Sequence, residues 1–383
     1  MACGLLGYIL SLSGYWVTFA VRRRDVADAI NRHSGYRLTV LGPEGGPLAV
    51  RRCVARSLVE EPDAVADAVA QADVVMTGVG IANLSALTPL VARGLWQRSR
   101  AQGVVPLNVV ACENLPGAGA YLRHQVLSAA PIEQAMAVDA VGGFSAALTR
   151  RVMTGGDVEG GELRFTVSGP PDLVIDAQGL KQPFPPLAGV MLTDEFGTLV
   201  LRKLYLLNCA QAVAAYLGSR EGCRLLHEAA SHPRVLPVVE GAVREARDAL
   251  VAEFPRQREG IHREAAQVVD TVADPALGDT VARVAREPRR KLGPLERLVG
   301  PARLAYKHDL PCDHLCAGIG AALAYDDPAD ADAVALQAAI TVEGIATVLT
   351  VECGLLPHEE LARAVKQQWL SMTQGNVCQE VNR

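Results

Sequence analysis

The period of apolar positions changes near residue 190. Before that point, short continuous apolar runs alternate with amphipathic stretches; after it, nearly every segment repeats at helical spacing. Residues 4–13 predict a helix that Gly14 closes, and 15–21 predict a strand rich in β-formers. A short helix follows over 25–33, then strands over 37–41 and 48–54. Residues 73–79 and 107–112 are apolar throughout and predict buried strands, each followed by a helix, over 84–99 and 117–129. Such alternation predicts an α/β unit with a doubly wound parallel sheet. The pattern loosens over 138–178, where strands at 163–167 and 173–175 lie beside a glycine-rich stretch at 155–161. Pro183, Pro185 and Pro186 predict a linker, so the expected division is 1–186 and 187–383. The second part predicts an all-α domain, with helices over 193–218, 220–229, 235–254, 261–272, 278–286, 293–305, 312–325, 330–350 and 357–371.

Composition narrows the function. A length of 383 residues fits two domains, and a net charge of −5 with a pI near 5.9 argues against nucleic-acid binding. Nine cysteines without a paired spacing predict a reducing, cytoplasmic setting. The apolar run 4–21, followed by Arg22, Arg23 and Arg24, has the form of a membrane anchor with a positive flank. The helix–glycine–strand division is the preferred reading, and the anchor is the alternative.

Lys203 stands out chemically. Only five of the 37 basic residues are lysine, and this one sits among leucines within 193–218. Arginine holds its proton near neutral pH, whereas a desolvated lysine releases it, so a buried lysine is a candidate general base. The alternative is a snorkelling side chain whose ammonium reaches water. On an α-helix, at about 100° per residue, Asn208 lies roughly 140° around from Lys203 and Gln211 roughly 80°.

Lys203-x4-Asn208, the segments Thr77–Gly80 and Asn108–Asn114, and Arg286–Leu292 together resemble the polyol-specific long-chain dehydrogenases, the mannitol dehydrogenase family. The similarity is closest to its mannitol-1-phosphate 5-dehydrogenase branch and runs from about Gly4 to the C-terminus. It implies a Rossmann-like domain followed by an all-α substrate domain. It also implies NAD(P)-dependent interconversion of a secondary alcohol and a ketone on a phosphorylated polyol, sugar or cyclitol, by default mannitol 1-phosphate and fructose 6-phosphate. Carried over, Lys203 is the base and Asn208 a donor to the developing oxyanion. Gln211, Arg151, Arg286, Arg290 and Lys291 bind substrate, the last three holding its phosphate. Thr77, Gly78, Val79, Gly80, Glu113 and Asn114 bind the cofactor.

Four departures qualify the resemblance. The family opens with a strand and a G-x-G-x-x-G loop, and this chain begins after both, which reads as a start placed too far downstream or a truncated product. The family's acid at the end of strand 2 is Val21 here, followed by Arg22 and Arg23, which leans toward NADP. A family histidine is Gln211, and a polar position and an acid are Ala146 and Arg150. A relative that has lost catalysis and serves as a binding or regulatory protein is the alternative function. Cys312, Cys316, His308 and His314 have a zinc-like spacing, but the expected reading is core packing and no metal.

Overall fold

The computed structural model describes residues 2–42, 45–113, 115, 117–149 and 151–380. The chain divides into two compact units, Met1–Val200 and Leu201–Arg383.

The first unit runs α1 (Ala2–Leu12), β1 (Val17–Val21), α2 (Arg24–His33), β2 (Gly35–Val40), β3 (Gly46–Arg51), β4 (Cys53–Ser57), α3 (Pro62–Gln71), β5 (Val74–Thr77), α4 (Leu84–Ser99), β6 (Leu107–Ala111), α5 (Ala118–Ala129), α6 (Ile132–Val141), β7 (Gly142–Thr149), β8 (Met153–Glu159), β9 (Glu162–Val167), β10 (Leu173–Asp176) and β11 (Val190–Thr193). Gly14, at φ 90°, turns the chain from α1 into β1, so the apolar run 4–21 splits into helix and strand. No helix among the described residues is long and apolar enough to cross a membrane.

Three sheets form. β1 pairs with β4 in parallel; β5, β6 and β7 pair in parallel and extend through β10 to β11; β3, β2, β9 and β8 make a third sheet. The fully buried β6 is apolar except for Asn108, whose side chain pairs both ways with the Lys181 backbone, at 2.8 Å each. The sheets are not wholly parallel, since β10 runs antiparallel to β7 and β2 antiparallel to β3. The single strand expected over 48–54 is two strands, because Arg52 takes a left-handed φ of 63° between β3 and β4. The glycine-rich stretch holds most of β8, which bends at an irregularity between Gly155 and Asp157. Residues past 186 stay with the first unit through β11, which pairs with β10.

The second unit is helical throughout: α7 (Phe196–Lys203), which straddles the division, α8 (Cys209–Arg220), α9 (Leu226–Ser231), α10 (Leu236–Glu253), α11 (Arg258–Val272), α12 (Val281–Ala285), α13 (Pro288–Lys291), α14 (Val299–Lys307), α15 (Asp313–Leu323), α16 (Ala331–Glu343), α17 (Ile345–Val351) and α18 (Glu360–Glu380). α8 is its axis. Cys209, Ala210 and all of Ala212–Tyr216 are buried, and small side chains let α9, α10, α12 and α15 approach closely. Tyr216 donates its hydroxyl to the Ala285 carbonyl at 2.8 Å and meets Tyr325 edge-on at 5.3 Å. The helix expected over 330–350 breaks at Gly344, whose φ of 83° ends α16.

The helix expected over 193–218 is not uniform. Leu204–Asn208 form a π turn between α7 and α8, and the Cys209 amide donates to the Leu204 carbonyl five residues back. Positions five apart therefore stack in this segment. Lys203 and Asn208 span that one wide turn, so the 140° separation of an ideal α-helix does not hold there.

Candidate active site

In the first unit, the predicted cofactor residues gather at the C-terminal end of β5. Glu113, buried just past β6, accepts the Thr77 hydroxyl at 2.6 Å and the Val79 amide at 3.2 Å. Both carboxylate oxygens are thus engaged within the protein, and they tie the β5 turn to β6. Gly80 adopts φ 83°, which only glycine accepts readily, and carries the chain through Gly78–Val79 toward α4. The three arginines after β1 differ. Arg23 is paired with Asp25 at 2.6 Å and with Asp157 at 3.4 Å, and Arg24 with Glu60 at 3.5 Å. Arg22 donates to the neutral amide oxygen of Asn83 at 2.8 Å, and Asn83 in turn donates to the Val79 carbonyl. Asn114 and Arg150 lie outside the described residues. Arg151 is held by the Pro170 carbonyl at 2.9 Å and Asp172 at 3.8 Å. Ala146 is buried in β7.

In the second unit, Lys203 ends α7 with part of its side chain accessible, yet its ammonium is desolvated. Burial first, and the Arg297 charge second, pull its pKa down to about 8. Asn208 is buried, and its Nδ2 has no hydrogen-bond partner. Gln211 follows half-buried on α8.

Arg297 has no place in the sequence reading, and it is the electrostatic centre of this region. It is 8% exposed; its Nε donates to Glu296 at 3.1 Å, and its Nη2 is buried without a partner. Its charge lowers the pKa of both Lys203 and Lys291. The available signal was an arginine set between apolar residues in Leu295–Leu304, but in a chain with 32 arginines it does not stand out (37 basic residues less five lysines).

The three cations carried over as phosphate ligands separate by environment. Arg286 is exposed. Arg290 pairs with Glu287 at 2.8 Å and approaches Glu296 at 3.8 Å. Lys291 is 5% exposed, and its pKa falls to about 7 through desolvation first, then Arg297 and Arg290. Glu287 holds a left-handed φ of 60° at the start of α13, which sets the direction of this turn.

Lys291 makes a stability prediction. Its folded pKa lies below the unfolded value, so the unfolded chain binds more protons between about pH 7 and 10.5, and stability rises with pH across that window. The full penalty is present below pH 7. Lys291→Met is therefore expected to raise resistance to urea by about 1–4 kcal/mol at pH 6, as when other buried charges are replaced by apolar groups, and by less at pH 9. A loss of stability at pH 6 would show that the charge is satisfied in place.

The zinc-like residues do not converge. His314 Nδ1 lies 2.6 Å from Glu245, His308 Nε2 lies 2.7 Å from Glu253, and the Cys312 and Cys316 sulfurs are 3.9 Å apart. No cluster of three or more metal-ligating side chains occurs among the described residues.

Known proteins agree with this arrangement. Residues 2–184 match the mannitol dehydrogenase Rossmann domain and residues 197–373 the mannitol dehydrogenase C-terminal domain. A mannitol-1-phosphate 5-dehydrogenase of Bacillus pumilus is 32% identical over 367 residues, 95% of this chain and 96% of the relative. Another, from an Exiguobacterium species, is 34% identical over 356 residues, 93% and 90% of the two chains. Among solved structures, Pseudomonas fluorescens mannitol 2-dehydrogenase, in ternary complex with NAD and D-mannitol, superposes with a TM-score of 0.71 at 16% identity, covering 93% of this chain and 84% of that one. A substrate-free D-sorbitol dehydrogenase gives 0.72 at 15% identity, covering 97% and 90%. With both domains matched and more than 30% identity held over nearly the whole length, the chain belongs to the mannitol dehydrogenase family of oxidoreductases.

Proposed function

We propose that this enzyme oxidises a secondary alcohol of a phosphorylated polyol, reversibly, with a nicotinamide dinucleotide as partner. Mannitol 1-phosphate and fructose 6-phosphate are the default pair. The observation that carries this reading is a desolvated Lys203 accompanied by two buried, unpartnered donors, Asn208 Nδ2 and Arg297 Nη2. Buried polar groups are ordinarily satisfied, and orphaned ones ask for a ligand. Curated relatives named mannitol-1-phosphate 5-dehydrogenase support the choice of substrate.

In this mechanism the neutral Lys203 amine accepts the substrate hydroxyl proton. Asn208 Nδ2 donates to the oxygen as negative charge develops there, where a preorganised donor stabilises the transition state most. Arg297 and Lys291, with Arg290 at the edge, hold the phosphate by charge-assisted hydrogen bonds. The phosphate's charge also offsets a cluster of cations that repel one another, so substrate binding relieves an existing strain. The dinucleotide supplies the hydride acceptor when bound. The turn Thr77–Gly80 fits it, since ligands of doubly wound sheets sit beyond the C-terminal ends of strands. A reducing, cytoplasmic setting accords with the described cysteines, all of which are free thiols.

Arg22 gives the leaning toward NADP a definite form. Arg23 and Arg24 already face carboxylates, whereas the acceptor of Arg22 is a neutral amide. Arg22→Ala is expected to lower kcat/KM for NADP about tenfold, in the range of one charge-assisted hydrogen bond, and to leave NAD unchanged. Equal losses with both cofactors would end the 2′-phosphate assignment.

The reading as a whole is tested by following nicotinamide absorbance with each dinucleotide and a panel of mannitol 1-phosphate, glucitol 6-phosphate, mannitol and glucitol. The phosphorylated polyols should be turned over with kcat/KM at least ~100-fold above the free ones, the value of one or two charge-assisted bonds. Comparable rates for mannitol and its phosphate would refute the phosphate site.

A further inference from the structure

The first unit contains a gap one strand wide. β1 pairs with β4 alone and β5 with β6 alone among the described residues, so each presents one unpaired edge. Between those edges lies a cavity of about 380 Å³ lined by Trp16–Ala20 and Val74–Thr77, far larger than the voids that protein interiors leave. Its two faces are covered by different helices. Leu6, Gly7 and Leu10 of α1 close one side, and Val69 of α3 with Leu87 and Val91 of α4 close the other. β5 alternates accordingly: Val74 and Met76 join the core under α1, and Val75 joins the core under α4. Val74, Val75 and Met76 nevertheless stay half-exposed, while the residues of the neighbouring β6 are all buried, and Trp16 at the mouth is 77% exposed.

We infer that this cavity is an acceptor slot for one extended peptide strand. A small apolar molecule could fill the volume but would leave two rows of backbone N–H and C=O groups without partners. A peptide strand satisfies both rows at once, because its own donors and acceptors point to either side. Apolar cover on both faces further requires an occupant that is apolar at successive positions, as buried parallel strands are. A segment of about five residues matches the flanking strands in length. With the strand seated, β4, β1, the inserted strand, β5, β6 and β7 become one continuous sheet. The slot ends beside Thr77–Val79, so its occupant also abuts the turn assigned above to the dinucleotide.

The test uses a synthetic peptide with the sequence of β6, residues 107–111, carrying two added lysines for solubility, and a copy of it methylated on alternate backbone nitrogens. Hydrogen exchange of the β1 and β5 amides is measured with and without each peptide, along with Trp16 fluorescence in the Trp96→Phe, Trp369→Phe background. The parent peptide is expected to slow exchange at both edges at least tenfold and to shift Trp16 emission to the blue, and the methylated copy to do neither. Ala68→Leu and Val75→Arg, which obstruct the slot from opposite sides, should each abolish the protection. The same strand joined ahead of Met1 by a glycine–serine linker raises its local concentration to the millimolar range, and should protect both edges even if the free peptide binds weakly. Protection of one edge only, equal effects from the methylated copy, no protection in the linked form, or self-association of the chain through these edges would each overturn the assignment.

Discussion

Lys203→Met should all but abolish turnover, with kcat reduced by about 10²–10⁴-fold while dinucleotide binding stays near normal. Methionine keeps the length and apolar contacts of the lysine stem but cannot accept a proton. Lys203→Arg should be almost as inactive, because a guanidinium stays charged at every accessible pH. The wild-type pH profile follows from the depressed pKa. With a value of about 8, roughly a tenth of the amine is neutral at pH 7, and most of it is neutral above pH 9. Alcohol oxidation should therefore rise with pH and level off above about 8, and ketone reduction, which needs the proton, should fall over the same range. Fluorescence titration of the cofactor alongside steady-state kinetics separates a lost base from a lost binding site. Near-normal turnover in the methionine variant would remove Lys203 from the chemistry.

The second large effect is expected at Arg297. Arg297→Gln should raise KM for a phosphorylated polyol about 10–100-fold, the worth of a charge-assisted hydrogen bond, and leave KM for the free polyol little changed. It should also move the alkaline limb of the oxidation profile upward. Arg297 is one of two causes that hold Lys203 low, and removing its positive charge makes the ammonium easier to keep. A merely structural arginine would alter stability without shifting that limb. Arg297→Lys keeps the charge and should retain the limb while losing part of the phosphate affinity.

Much of this site could be read before folding because lysine is scarce in the chain. Lys203 was conspicuous by choice of residue, and the continuous apolar runs at 73–79 and 107–112 located β5 and β6 and hence the turn at Thr77–Gly80. The relation between Lys203 and Asn208 was misjudged because angular positions were taken from an ideal α-helix, and nothing in LYLLN announces a widened turn. Arg297 went unnoticed for the opposite reason to Lys203: its neighbours are apolar, but arginine is the chain's ordinary cation. β8 was obscured because glycine disfavours strands, and its pairing with β9 depends on a partner that local propensity does not register. The ion pair of Arg23 with Asp157 joins residues 134 apart in sequence, which is why three adjacent arginines looked equivalent.

The wide turn at Leu204–Asn208 also fixes how this helix can change length. A π segment is in effect a single additional amino acid accommodated within an α-helix. Deleting any one residue of that stretch would restore regular winding and rotate everything after it by about 100°. The oxyanion donor would swing away from the amine, and the buried side of α8, with Tyr216 at its centre, would lose its alignment with the surrounding helices. Indels here therefore damage catalysis and folding together, whereas the segment around Gly344, where the helix is already interrupted, offers a far safer place for them.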